Sequence, residues 1–115
     1  CPDGWVGYRG VCYYLSKEEG SWEWSQEQCS SRGASLAVLR MSWEMELLSH
    51  LKGNADYWLG LRREGERLEW VDGSRFNETF LVFGRGACVY LNKHAVASAS
   101  CSQHRPYICS SDVYL

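Results

Sequence analysis

No stretch of this 115-residue chain is apolar for long enough to cross a bilayer, and no signal-peptide pattern opens it. Net charge is almost absent: at −2, no global field draws the chain to nucleic acid or to an anionic membrane. Internal repeats, low-complexity runs and linker-like stretches are missing, and the length suits one compact domain rather than two. Histidine is scarce, with His50, His94 and His104 alone, and no Gly-x-Ser-x-Gly elbow supports a serine nucleophile. Gly4, Gly7 and Gly10 recur every third residue, which is not the phosphate-cradling G-x-G-x-x-G. The paired carboxylates Glu18–Glu19 and Glu44/Glu46 lie beside expected helix starts, where the helix dipole already accounts for them. No enzyme is expected from these residues.

What the chain does have is cysteine: Cys1, Cys12, Cys29, Cys88, Cys101 and Cys109. None form a C-x-x-C pair, so a tetrahedral zinc site, which usually draws two ligands from one tight turn, is not expected. An even number of scattered cysteines in so short a chain reads as disulfides in an oxidising compartment. Counting alone leaves 15 pairings open. Asn77-Glu78-Thr79 is an N-glycosylation acceptor triplet, useful only on a secreted or surface chain. Composition is ordinary for a folded protein, at 45% apolar and 23% charged residues.

The alternation of Trp5, Val6, Tyr8, Val11, Tyr13 and Tyr14 around Gly7 and Gly10 predicts a short hairpin. A helix follows, with Ser21 as N-cap, Gly33 as stop, and Trp22, Ser25 or Gln26, and Cys29 on one face. Ser35 to Leu39 reads as a short strand. A second helix is predicted with Ser42 as N-cap, Leu47, Leu48 and Leu51 as its buried stripe, and Gly53 as its stop. Thereafter the pattern turns to strands: Tyr57 to Leu61, Leu68 to Val71 before an Asp72-Gly73 turn, Ala87 to Leu91, and Tyr107 to Cys109. Between Leu61 and Cys88 lies a long segment with little regular pattern, and such segments are uncommon unless functional. The order predicts an α+β layout.

Trp58-Leu59-Gly60-Leu61 resembles the W-I-G-L core strand of C-type lectin-like domains, and Trp70-Val71-Asp72-Gly73-Ser74 is similar to the W-x-D-G-[ST] turn of that family. The spacing of Cys29, Cys88, Cys101 and Cys109 and the Trp-containing first helix agree, so the resemblance covers essentially all of residues 1–115. It implies two helices, two small antiparallel sheets, a long loop region and three disulfides: Cys1–Cys12, Cys29–Cys109 and Cys88–Cys101. Sugar-binding members hold calcium with an E-P-N or Q-P-D triplet in the long loop and W-N-D before the penultimate cysteine. Here Val96, Ala97 and Ser98 stand at the second place, and the long loop contains no proline. Calcium needs six to eight hard oxygen ligands, so no metal or other cofactor is expected.

Calcium-blind, six-cysteine members resemble the natural-killer-cell-receptor group, and here most closely the branch of the early-activation antigen and the lectin-like transcript ligands. That likeness implies a homodimeric extracellular domain at the plasma membrane, attached as a type II protein through a segment outside this chain. It also implies a protein ligand on another cell. The ligand face maps to about Arg62–Arg85 plus Asn92–Val96. The residues expected to carry it are Arg62, Arg63, Arg67, Arg75, Phe76, Arg85, Asn92, Lys93 and His94, because Arg and aromatics dominate interface hot spots. Phe76, Phe80 and Phe83 offer apolar anchors on this face; the competing reading packs Phe80 and Phe83 against the core and makes Arg62, Arg63 and Glu64 a solvated turn. The alternative is calcium-independent recognition of a glycan or lipid.

Overall fold

The glycine-punctuated aromatic run closes as a hairpin, β1 (Val6–Tyr8) against β2 (Val11–Leu15), turning at Arg9 and Gly10, both at positive φ. The computed structural model describes residues 1–93 and 95–112. Helix α1 (Trp22–Ser31) starts where Ser21 caps it, the serine hydroxyl accepting from the Trp24 N–H at 3.2 Å. Trp22, Ser25 and Cys29 are its buried residues, and Gly33 takes a φ of +74° just past its end. Only Ser35–Leu36 pairs as strand β3, although Ala37, Val38 and Leu39 are also buried.

Helix α2 (Ser42–Lys52) departs from expectation twice. Met41, not Ser42, occupies the N-cap and supplies no side-chain bond; instead the Arg40 N–H donates to the Glu44 carboxylate at 3.0 Å. The buried row is Glu44, Leu48 and Lys52, with Leu47 half-buried and Leu51 39% exposed. Lys52 turns inward, its ammonium donating to the Gly53 and Ala55 carbonyls of the turn just past the helix at 3.2 and 2.7 Å.

The remaining strands are β4 (Tyr57–Glu64), β5 (Arg67–Trp70), β6 (Val82–Phe83), β7 (Cys88–Leu91), β8 (Val96–Ala99) and β9 (Ile108–Asp112). One sheet has the order β1-β2-β9-β3 and the other β5-β4-β7-β8-β6. The first is antiparallel throughout. In the second, β6 pairs parallel with β8, so the expectation of two antiparallel sheets is corrected to one antiparallel and one mixed. Arg62, Arg63 and Glu64 form no turn: they extend β4, paired with Glu69, Leu68 and Arg67 of β5.

The sheets meet at Gly60. Its N–H donates to the Ala37 carbonyl at 2.8 Å, and its carbonyl accepts from the Val71 N–H at 2.8 Å. A Cβ there would stand 2.5 Å from the Leu36 carbonyl oxygen, so only glycine allows the approach. Two indoles fasten α1 and the segment before it to the second sheet. The Trp22 Nε1–H donates to the Leu59 carbonyl at 2.8 Å, and the Trp58 Nε1–H to the Gly20 carbonyl at 2.9 Å. The disulfides Cys1–Cys12, Cys29–Cys109 and Cys88–Cys101 all form, tying in turn the hairpin, α1 to β9, and β7 to the loop after β8.

Candidate ligand-binding face

The arginines of the β4–β5 hairpin line two separate hollows. Arg62 turns toward α1. Its guanidinium lies 5.1 Å from the Trp22 ring centre, pairs with Glu64 and approaches Glu23 at 3.8 Å. It lines a hollow of about 490 Å³ with Glu23, Glu27, Glu64 and Glu69. Arg63, Arg67, Arg75 and Phe76 share a separate groove of about 360 Å³, where Glu66, Glu69 and Glu78 alternate with the three guanidinium groups. The Arg63 Nε donates to the Gly86 carbonyl at 3.3 Å, which joins this groove to the loop carrying Arg85.

Asn92 and Lys93 follow β7, with the Asn92 N–H donating to the Ala95 carbonyl at 2.8 Å. Lys93 is exposed, and burial, then its positive charge, pull the Lys52 ammonium below the usual lysine value against Asp56. His94 lies outside the described residues. Phe76 is half-buried, its ring centre 6.2 Å from Trp70 and 4.8 Å from Phe80. Phe80 packs on the core; Phe83 does not, and stands 56% exposed. The difference follows from β6: Val82 takes the inward position, so its neighbours Leu81 and Phe83 face out. Asn77 is exposed beside Phe76 and Glu78 at the rim of the arginine groove.

The Val96-Ala97-Ser98 stretch forms most of β8. Val96 is 2% exposed in the core, paired with Val82 and Leu91. The Ser98 hydroxyl accepts from the Gly86 N–H at 3.0 Å and donates to the Phe83 carbonyl at 3.1 Å. Sequence alone missed this brace, for a lone serine carries no signal of its partners. On the opposite flank, Asp72 accepts from the Ser74 N–H at 2.9 Å and from its hydroxyl, and pairs with Arg40 at 2.6 Å. Burial raises its carboxyl, but the Ser74 bonds and the Arg40 charge outweigh it and hold the pKa below the ordinary value.

The sequence model of the lectin C-type domain matches residues 11–111. The chain belongs to the C-type lectin domain family. Human C-type lectin domain family 2 member B is 37% identical over 115 residues, covering 99% of this chain and 77% of that protein. Human early activation antigen CD69 is 37% identical over 111 residues, and this lectin-family chain spans 56% of its length. Among solved structures, the C-type lectin domain of murine dendritic cell inhibitory receptor 2, in complex with N-glycan, superimposes with a TM-score of 0.87. That match covers 97% of this chain and 98% of the other at 23% identity, which shows the fold.

Proposed function

We propose that residues 1–115 are one extracellular domain of a cell-surface immune receptor or counter-receptor that binds a protein ligand, without calcium, through its long-loop face. The lining of the arginine groove carries this reading. Arg63, Arg67 and Arg75 interleave with Glu66, Glu69 and Glu78, while Phe76 is engaged by Trp70 and Phe80. Interleaved charges of both signs suit a protein surface, on which pairs can be matched one by one. Within this groove the Phe76 ring is packed on Trp70 and Phe80 and is not presented for a sugar to stack on. Independence of calcium is supported by Val96 in the core and by Ser98, whose hydroxyl braces the loop where a carboxylate ligand would be required. The resemblance to the natural-killer-cell-receptor group extends this proposal to a membrane anchor outside residues 1–115 and to pairing of two copies.

The test is staining of leukocytes with a fluorescent tetramer of the domain. Staining should vanish after surface proteolysis, yet survive a chelator and enzymatic deglycosylation. Persistence after proteolysis, or loss on deglycosylation, would favour a lipid or glycan; loss with chelator alone would refute calcium independence.

A further inference from the structure

We infer that Leu81 and Phe83 are the apolar anchors of the interface, and that they fit a partner protein's apolar socket ringed by carboxylates. Single exposed apolar side chains are common on protein surfaces and need no explanation. These two are not isolated. Leu81 is 75% exposed and Phe83 56%, and they flank Val82, which packs inward, so they stand two residues apart on one face of the segment.

The segment is also held in place. Strand β6 pairs with β8, and the Ser98 hydroxyl clasps the Phe83 carbonyl and the Gly86 N–H together. A Cβ at Gly86 would come within 2.4 Å of the Ala99 backbone, so glycine is what lets the loop lie flat on β8. Anchors ordered before binding lose little entropy when they bind, which is the condition for a strong contact.

Charge identifies what lies opposite. From Thr79 to Ser111 the chain carries no carboxylate side chain, against Arg85 and Lys93 and an Arg105 already paired with Asp56, although the whole chain is net negative. Arg85 follows Phe83 by two residues, and Arg63 reaches the same loop through Gly86. An apolar pair in a stretch of chain whose charged side chains are all basic complements a socket with an acidic rim. A pair fixed at the start of a two-residue strand that is braced against β8 suits a shaped protein pocket better than a fluid bilayer.

This inference rests on the reading of the domain as a protein binder, and the experiment separates the two. Tetramers of the wild-type domain, L81A/F83A, R85E and the control L51A are compared on leukocytes of the species encoding the chain, with and without surface proteolysis. The same tetramers are offered protein-free vesicles of phosphatidylcholine with and without phosphatidylserine. Unchanged melting temperatures establish folding. The expected result is protease-sensitive wild-type staining that falls about tenfold or more in L81A/F83A and R85E, holds in L51A, and is absent on vesicles. Protease-sensitive staining that L81A/F83A retains would overturn the anchor assignment and leave the protein-binding reading intact. Vesicle binding lost in L81A/F83A would overturn it in favour of a membrane surface. Absence of any protease-sensitive wild-type staining would overturn both readings.

Discussion

Glu44 and Asp72 both neighbour Arg40, yet the fold moves their pKa values in opposite directions. Glu44 is 4% exposed in the first turn of α2, and burial raises its carboxyl above the ordinary 4.5 despite the Arg40 N–H and charge. The native state therefore holds this proton more firmly than the unfolded chain does. Its contribution to stability declines as pH rises from the ordinary value through the native one. Glu44→Gln should accordingly gain on wild type as pH is raised from about 4.5 toward about 7, measured by urea midpoints. A difference that does not change with pH would contradict the assignment. Asp72 behaves inversely: its lowered value supplies stability above 3.8 that is lost as pH falls through the native value. Asp72→Asn should lower the melting temperature at neutral pH, and the deficit should close in acid below the ordinary aspartate range.

At the scale of elements, α1 and β8 show what a sequence can disclose. The N-cap of α1 was legible because Ser21 acts on a neighbour three residues away; Ser21→Ala should cost about 1 kcal/mol, read as a shifted urea midpoint with unchanged slope. The Trp58-Leu59-Gly60-Leu61 strand was equally legible from its apolar run, although the steric demand on its glycine comes from Leu36, distant in sequence. The inner row of α2 was not. Leucine spacing favoured Leu51, but Lys52 takes the inner row instead, its ammonium bonded to carbonyls of the turn just past the helix, which the leucine spacing does not record. The candidate face was legible in its residue types rather than in its arrangement. Nothing local separates Phe76, packed on Trp70, from Phe83, left outside by the inward Val82. Ser98→Ala removes the clasp between β8 and the loop, and should speed hydrogen exchange at the Gly86 amide while core amides keep their protection. Equal exchange in both proteins would show that the clasp does not hold the loop.

For the molecule as a whole, the disulfides differ in the length of chain they close. Cys29–Cys109 spans 80 residues, whereas Cys1–Cys12 spans 11 and Cys88–Cys101 spans 13. On the chain-entropy account, replacing the long-range pair by serines should cost about 4–5 kcal/mol, and either short pair about 3 kcal/mol. The costlier loss is comparable to the net stability of a small domain, so that variant should be unfolded or nearly so at room temperature, as circular dichroism will show. The fold fastened in this way joins the β4–β5 hairpin to the loop before β7 through the Arg63–Gly86 bond, and the role proposed for this face is to meet a protein. Its most direct test is photo-cross-linking from living cells, with a photoreactive residue at position 67 or 85 and a control at the exposed Ser30 of α1. A protease-digestible adduct, formed in the presence of chelator, is expected from positions 67 and 85 and none from position 30. Adducts from position 30 alone, or adducts of lipid mass, would contradict that role.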